Sequence, residues 1–213
     1  MEVWPSNAPQ FGETEKTTRI SREAWLKSRK LCITSTMMSK CISPKHPETI
    51  LKHMQNPPDI SYLPFVSRGI QDEQAGVDHL LKHLEKDGIF AKAYKVGFVL
   101  HPERDWLGAS PDRLLYDGSK WKLVEVKNWY ETNRQKSLSD LPYLDKNQLL
   151  KRKHTYFYQV QTAMLVTGLR QCYFVVHGKD SKIEEIEYDA ETAKLILDRS
   201  EAFYNNHLKH VRF

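Results

Sequence analysis

The most constraining feature of the chain is a predicted β-hairpin at residues 108–129, GASPDRLLYDGSKWKLVEVKNW. Two strand-like runs flank Asp117-Gly118, and Asp-Gly between alternating apolar residues is a strong signal for a two-residue turn. Charged residues occur within both runs, in a setting of Leu, Val and Trp. Charges that face an apolar layer are costly to desolvate, so they are usually paired or bind a ligand. The hairpin therefore predicts both a sheet and a functional site.

A two-residue turn would fix the register of this hairpin. It places Leu115 opposite Lys120 and Asp112 opposite Leu123. Because side chains alternate along a strand, Asp112 then shares a face with Glu125, as a diagonal neighbour with β-carbons roughly 7 Å apart. A three-residue turn would put Asp112 on the other face, so this prediction depends on the register.

Carboxylates at that spacing can hold a hard divalent cation between them. Oxygen ligands suit Mg²⁺, which keeps several waters and also takes phosphate oxygens from a substrate. Lys127 lies on the same face as Glu125 and would orient a water or neutralise charge that develops on a phosphate. Together with Asp112 they predict metal-assisted phosphodiester hydrolysis. The alternative is a surface hairpin in which Glu125 and Lys127 simply pair across a solvated face.

Helices alternate with strands in the rest of the chain. The first helix is predicted at residues 17–33, and a second runs from Gln71 to a stop at Gly88. This order, with a hairpin at its centre, predicts an α/β fold with a central mixed β-sheet flanked by helices. Glu73 lies four residues before Val77, on the apolar stripe of the second helix. A carboxylate in that position favours a site over a solvated surface.

Composition limits the domain organisation and the partner. With 213 residues and 40% hydrophobic content, the chain can form one domain with a substantial core. We expect a single domain over residues 1–213, with residues 1–16 as loop or loosely attached. The net charge of +5 combines 32 basic with 27 acidic residues. It favours a polyanionic partner only weakly.

The cysteines and the hydropathy pattern indicate the compartment. The three cysteines include no CxxC pair, so neither a zinc site nor a disulfide framework is indicated. No apolar run reaches the length of a membrane span, and the amino terminus lacks the pattern of a signal peptide. We therefore expect a soluble, intracellular protein with no membrane partner, and leave open whether it is cytoplasmic or nuclear.

Four sequence blocks, in order, resemble the lambda exonuclease and YqaJ-type viral recombinase family of the PD-(D/E)XK nucleases. They are SRKLCITSTMMSKC, SRGIQDEQA, GASPDRLLYDG with LVEVKN, and YFYQVQTAMLVTG. They cover roughly Trp25 to Gly168. A single block would be weak evidence for the family, whereas four blocks in the family order are strong evidence for it. The resemblance implies a PD-(D/E)XK, restriction-endonuclease-like nuclease core.

The resemblance also implies a metal site. In it, Asp112 and Glu125 bind Mg²⁺ with the backbone carbonyl of Val126, and Mn²⁺ is expected to substitute. Lys127 would activate or position the hydrolytic water. Glu73, in RGxxxE, resembles the helical acidic residue that completes the metal site, directly or through water.

Further residues are matched outside the metal site. Gln159, in YQVQ, resembles a family glutamine that touches the active-site network, and Gln161 is the less favoured candidate for that role. Arg29, Ser35 and Ser110 resemble residues that hold a terminal 5'-phosphate. A guanidinium can bind phosphate through a forked pair of charge-assisted bonds while hydroxyls fix the orientation.

Some positions leave alternatives open. Arg113 and Asn128 replace the Gly and Cys that often follow the two acidic motifs. Arg113 alternates away from Asp112, so we expect it to contact DNA or to pack outside. The basic cluster at residues 146–154 is either a solvated face or a track for a nucleic-acid backbone. Trp25 is expected to be a core residue.

The sequence thus predicts a Mg²⁺-dependent deoxyribonuclease. The first hypothesis is a 5'-to-3' exonuclease that acts on linear duplex ends bearing a 5'-phosphate, in recombination or DNA processing. The alternatives are a nucleic-acid-binding module without cleavage, and an endonuclease or RNA-degrading relative of viral alkaline nucleases. The resemblance also implies a homo-oligomer, a trimer in the family pattern, and a single-strand annealing protein as partner.

Overall fold

The computed structural model describes residues 4–30, 32–56, 64–132 and 134–211, with side chains left out for residues 64–71. In this part of the chain, helices alternate with short strands and with one hairpin, as the sequence predicts. The α-helices are α1 (Glu13–Ile20), α2 (Arg22–Arg29), α3 (Met38–Ile42), α4 (Pro47–Gln55), α5 (Pro64–Lys86), α6 (Thr155–Thr167) and α7 (Ala190–Phe203).

The β-strands divide into two sheets. Five form the central sheet, in the order β2-β5-β6-β7-β8, and three form a smaller sheet, in the order β1-β4-β3. The strands are β1 (Ile33–Thr34), β2 (Lys92–Tyr94), β3 (Val99–His101), β4 (Arg104–Ala109), β5 (Arg113–Tyr116), β6 (Trp121–Asn128), β7 (Gln171–His177) and β8 (Lys182–Glu187).

The central sheet is mixed, which confirms the predicted architecture. β6 and β7 run parallel, and the other neighbouring pairs are antiparallel. α6 provides the crossover that a parallel pair requires. The smaller sheet was not predicted. In it, β1 runs parallel to β4, so the segment after β1 lies near the end of β4.

One face of the central sheet packs against α5. Leu115 and Val124 of the hairpin belong to the same buried cluster as Val77 and Leu80 of α5. Side chains alternate along a strand, so residues an even number apart share a face. Arg113 therefore faces α5 as well.

The opposite face packs against α6. Leu114 and Leu123 belong to the large buried cluster that also contains Val160 of α6. By the same alternation, Glu125 and Lys127 lie on this face, two and four residues after Leu123. The Arg113 side chain thus leaves β5 on the face opposite to that of Glu125 and Lys127.

The hairpin turn differs from the prediction. Tyr116 pairs with Trp121, so the loop has four residues instead of two. The Asp117 carboxylate accepts hydrogen bonds from the backbone N–H groups of Ser119 and Lys120, at 2.9 and 2.7 Å. These side-chain bonds satisfy the loop backbone, which an Asp side chain does readily in turns.

The register is consequently shifted by two residues. Leu115 pairs with Lys122 and not with Lys120, so the predicted pairing was wrong. A shift by an even number keeps every side chain on its predicted face. Extended by one residue beyond β5, the observed register places Asp112 directly opposite Glu125 instead of diagonal to it.

The predicted first helix is two helices. Ser21 lies between α1 and α2 in an extended conformation, where its hydroxyl accepts a hydrogen bond from the Ala24 N–H at 3.2 Å. A serine cap of this kind begins a new helix, so the continuous helix over residues 17–33 was wrong. α2 ends at the residue that the resemblance assigns to phosphate binding.

The start of α1 contradicts, for residues 13–16, the prediction that residues 1–16 are loop or loosely attached, because residues 13–16 are helical. Residues 4–12 lie in no helix or strand, and residues 1–3 lie outside the described part of the chain. Glu15 is 2% exposed, and its carboxylate accepts a hydrogen bond from the Gly97 N–H at 2.8 Å. The Trp121 indole donates to the Asn7 carbonyl at 3.1 Å. A buried carboxylate is tolerated when it is hydrogen-bonded, and this bond ties α1 to the segment before β3.

α5 is longer than predicted. It starts seven residues before Gln71 and ends before Gly88, which has a φ of 77° and is the predicted helix stop. Glycine adopts this left-handed conformation without strain. None of the helices in the described part of the chain is both long and apolar enough to cross a membrane.

Candidate active site

Asp112 and Glu125 lie together at the open end of the hairpin. Glu125 is 4% exposed. The backbone N–H of Val126 donates a hydrogen bond of 2.7 Å to Oδ2 of Asp112. Because Asp112 precedes β5 directly, this bond fixes its side chain against β6. The structure therefore brings together both predicted carboxylates and the predicted main-chain position.

The two carboxylates make the site electrostatically unfavourable without a cation. Burial raises the pKa of the Asp112 carboxyl well above its usual range, and the charge of Glu125 raises it further. The Lys127 ammonium and the Val126 N–H act in the opposite direction but do not cancel this effect. A cation between two such oxygen donors would favour the charged form of Asp112 and so lower its pKa.

Lys127 supplies a positive charge to the same group. Its Nζ lies 2.5 Å from Oε1 of Glu125 and 4.6 Å from the ring centroid of Tyr156. Burial would lower the pKa of Lys127, but the charges of Glu125 and Asp112 raise it above its usual value. Lys127 is therefore protonated at neutral pH and suits charge neutralisation better than proton abstraction.

Gln159 of α6 is a second hydrogen-bond donor to Glu125. Its Nε2 donates to Oε1 of Glu125 at 2.6 Å, and the residue is buried on α6. Gln161 lies away from the site, since its Nε2 donates to the Glu187 carbonyl at 2.9 Å and its Oε1 accepts from the Asp189 N–H at 2.8 Å. The structure thus places Gln159 in the network and gives Gln161 a role in joining α6 to α7.

Glu73 of α5 is also beside the site, but it has a partner that the sequence did not indicate. Its carboxylate forms an ion pair with the Arg113 guanidinium. Arg113 is 8% exposed and lies on the face of the sheet that packs against α5, away from Glu125 as the alternation predicts. It also donates to the Asp112 carbonyl at 2.6 Å and to Oε1 of Gln74 at 3.0 Å.

A cavity of about 680 Å³ lies beside the acidic pair. Glu73, Asp112 and Lys127 line it, together with Tyr143 and Tyr156. Aromatic walls beside charged groups are suited to a nucleotide, whose bases stack while its phosphate needs cations. The cavity has the character of a cleft for a nucleic-acid strand.

The donor set fits magnesium. Within the described ranges, no group of three His, Cys, Asp or Glu side chains is positioned to hold a metal ion. Mg²⁺ commonly takes one or two carboxylates and completes its shell with waters and substrate phosphates. Asp112 and Glu125 match this requirement, and Val126 lies beside Asp112 through its backbone N–H.

The predicted phosphate-binding residues lie where the smaller sheet meets the hairpin. Arg29 donates to the hydroxyl of Ser110 at 3.3 Å and to that of Thr36 at 3.4 Å. Burial lowers the pKa of Arg29 to about 10, which leaves it charged at neutral pH. Ser35 is buried next to Thr36 in the turn after β1. Ser110 is two residues from Asp112, so this group and the acidic pair share one segment.

Sequence reasoning missed two members of this group. The Trp25 indole donates to the hydroxyl of Ser110 at 2.9 Å, and its ring lies 4.2 Å from the Arg29 guanidinium carbon. Stacking of this kind holds a guanidinium in place. Thr36 was overlooked although it lies beside Ser35 in the same block. Trp25 is only partly buried, so the prediction that it is a core residue was incomplete.

The structure places Asp112, Glu125 and Lys127 together at the end of the hairpin, in the arrangement that the resemblance to PD-(D/E)XK nucleases implies. The sequence matches the YqaJ-like viral recombinase domain family over residues 24–170. This match spans more than half of the chain, which therefore belongs to that family. It confirms the resemblance seen in the four sequence blocks. A comparison with curated protein sequences gives no significant match.

Solved structures share the fold. The alkaline exonuclease LHK-Exo from Laribacter hongkongensis superposes with a TM-score of 0.65 at 21% identity, covering 88% of this chain and 92% of that one. A SOX–DNA complex gives 0.63 at 11% identity, covering 92% and 70%. The shutoff and exonuclease protein from Kaposi's sarcoma-associated herpesvirus gives 0.57 at 13%, covering 92% and 71%. Family and fold together support a nuclease.

Proposed function

We propose that the protein is a Mg²⁺-dependent deoxyribonuclease, and first of all a 5'-to-3' exonuclease that acts on linear double-stranded DNA ends. The observation that carries the proposal is the close set of Asp112, Glu125 and Lys127 at the hairpin end, with Gln159 bonded to Glu125. The resemblance of the fold to an alkaline exonuclease supports the same reaction class.

The carboxylates of Asp112 and Glu125, with the carbonyl of Val126, would hold the cation, and Mn²⁺ would replace Mg²⁺. When bound, the ion would supply Lewis-acid stabilisation of the phosphate and a water of lowered pKa. The chain's own contribution is orientation. The Val126 N–H orients the Asp112 carboxylate, and the Gln159 side chain, from α6, orients the Glu125 carboxylate.

Lys127 would act on the phosphate by its charge. Hydrolysis adds negative charge to the phosphate in the transition state, and a preorganised ammonium stabilises that charge without reorganisation. Glu125 and the Tyr156 ring hold the ammonium in place. Its positive charge at neutral pH favours this role over that of a general base.

Arg29 would recognise the 5'-phosphate of the strand that is cut. Its guanidinium lies between the hydroxyls of Ser110 and Thr36, and Ser35 is next in the chain. Guanidinium groups bind phosphate through forked, charge-assisted bonds. Because Ser110 and Asp112 belong to one short segment, a phosphate held at Ser110 would set the distance from the strand end to the cleavage position.

Digestion of end-labelled duplex DNA tests this proposal. We expect Mg²⁺ to support loss of the 5'-phosphorylated strand from linear DNA, with little loss when the end carries a 5'-hydroxyl or when EDTA is present. Closed circular DNA should remain intact. Equal digestion of circles would instead indicate an endonuclease, and loss from the 3' end would overturn the proposed polarity.

RNA cleavage is the second candidate function, favoured by the similarity to a SOX–RNA complex with a TM-score of 0.60 at 13% identity. Parallel digestion of RNA and DNA of one sequence distinguishes the two. Binding without any cleavage would support a non-catalytic module. The family further suggests a homo-oligomer, such as a trimer, and a single-strand annealing partner. Light scattering would test the first, and co-purification with a candidate annealing protein the second.

A further inference from the structure

Arg113 connects Glu73 of α5 to the segment that carries Asp112. The guanidinium pairs with the Glu73 carboxylate, donates to the Asp112 carbonyl at 2.6 Å and donates to Oε1 of Gln74 at 3.0 Å. The Arg113 side chain is 9% exposed and that of Glu73 28%. These bonds fix the orientation of the planar Arg113 guanidinium. The Arg113–Glu73 ion pair is therefore an ordered part of the site and not an exposed surface salt bridge.

Glu73 is close enough to act on the acidic pair. It lines the same cavity as Asp112. After burial and Glu125, its charge is a further cause of the raised pKa of Asp112. Without Arg113, the Glu73 carboxylate would face this cavity without its present ion-pair partner. The number of carboxylate charges is a main determinant of how tightly a protein site holds a divalent cation.

We propose that Arg113 withholds Glu73 from the metal-binding set, so that the cation is held by Asp112 and Glu125 without the third carboxylate. This inference rests on the proposed function, because it concerns the cation of that same site. The resemblance implies that Glu73 completes the metal site. In this proposal it does not, because its carboxylate is paired with Arg113.

The charge balance of the site gives this arrangement a consequence. Three carboxylates and two cationic side chains leave one net negative charge around the cavity, and removal of Arg113 would leave two. A site with the smaller charge attracts a cation less strongly. Phosphate oxygens of a substrate would supply further negative charge, so the cation would be held more tightly when nucleic acid is bound.

A double-mutant cycle tests the inference through binding of Mn²⁺ without nucleic acid, followed by electron paramagnetic resonance. We expect Arg113→Ala to bind Mn²⁺ about tenfold tighter, within the range of couplings between contacting charged residues. Glu73→Gln alone should stay within about twofold of the wild type, because Arg113 already neutralises Glu73. The double variant should lose the gain. Arg170→Ala, an exposed residue, is the control for loss of one positive charge.

Two results would overturn the inference. One is unchanged Mn²⁺ affinity in folded Arg113→Ala, and the other is a large loss of affinity in Glu73→Gln, which would show that Glu73 binds the metal. The second result decides the question even if Arg113→Ala does not fold. The proposed function is tested separately by Mn²⁺ binding to the wild type, which should disappear in Asp112→Asn. If the wild type does not bind Mn²⁺ at this site, both proposals are overturned. If the wild type binds Mn²⁺ and Arg113→Ala binds it no more tightly, this proposal alone is overturned.

Discussion

Gln159 Nε2 lies 2.6 Å from Oε1 of Glu125, the same oxygen that Lys127 Nζ approaches to 2.5 Å. One carboxylate oxygen thus receives donors from α6 and from its own strand, and its orientation is set from both sides. Under the proposed function, the other oxygen of Glu125 would bind the cation. Through Gln159, α6 therefore contributes to the site proposed at the end of the hairpin.

Replacement of Gln159 should impair turnover more than stability. We expect Gln159→Ala to lower the cleavage rate at saturating Mg²⁺ by about tenfold to a hundredfold, since a hydrogen bond to a charged group contributes about 1.5–3 kcal/mol. The control is Gln161→Ala on the same helix, which should lower the free energy of unfolding and leave the rate per folded molecule unchanged. Reversed effects would show that Gln161 serves the site.

Arg29 should determine the preference for a phosphorylated end. In Arg29→Ala, the ratio of cleavage rates on 5'-phosphate and 5'-hydroxyl ends should fall about tenfold or more, because charge-assisted bonds to phosphate are lost. Lys27→Ala removes an exposed charge from the same helix and should keep the ratio. An equal loss of rate on both ends would contradict the assignment of a phosphate pocket.

Asp112 should destabilise the metal-free protein. A carboxyl with a raised folded pKa holds its proton more tightly when folded, so its contribution to stability decreases as pH rises from its unfolded pKa towards the folded one. At neutral pH, Asp112→Asn should therefore raise the free energy of unfolding, because it removes the buried charge. Denaturant unfolding in EDTA measures this. Asp105→Asn, at an exposed position, should have no such effect.

Magnesium should reverse this penalty in the wild type alone. A ligand that binds only the folded state at 100 times its Kd stabilises by about 2.7 kcal/mol. We expect Mg²⁺ to raise the melting temperature of the wild type and not that of Asp112→Asn. An equal rise in both proteins would place the ion elsewhere.

The packing of α5 on β6 should be sensitive to one added methyl group. A Cβ at Gly76 would lie 2.5 Å from Cγ1 of Val126, the residue whose N–H holds Asp112. Gly76→Ala should cost about 1–3 kcal/mol of stability through overpacking. Lys82→Ala, on the exposed face of α5, is the control. Unchanged stability and Mg²⁺ affinity in Gly76→Ala would contradict this prediction, because it would show that α5 and Val126 move apart at little cost.

The sequence predicted the faces of the hairpin better than its register. Alternation alone places Asp112 and Glu125 on one face, and a shift of two residues does not change that. The shift itself arises from the Asp117 side chain, which bonds the loop backbone and lengthens the turn. Turn chemistry of this kind competes with the two-residue turn that the Asp-Gly pair otherwise favours.

Tertiary contacts were beyond the reach of the sequence. Arg113 and Glu73 are 40 residues apart and meet because β5 and α5 pack face to face. No local pattern distinguishes this arginine from one that faces solvent. Likewise, Thr36 reaches Arg29 only because the turn after β1 lies beside the end of α2. The resemblance named the site residues, whereas their partners required the structure.

The central claim is that Asp112 and Glu125 carry out metal-dependent phosphodiester hydrolysis with Lys127. The most direct measurement compares the wild type with Asp112→Ala, Glu125→Ala and Lys127→Ala on a linear duplex with Mg²⁺ or EDTA, with folding checked by circular dichroism. The account predicts cleavage by the wild type with Mg²⁺ alone, and none by the folded variants. Cleavage by the wild type in EDTA, or normal turnover by any of the three variants, would contradict it.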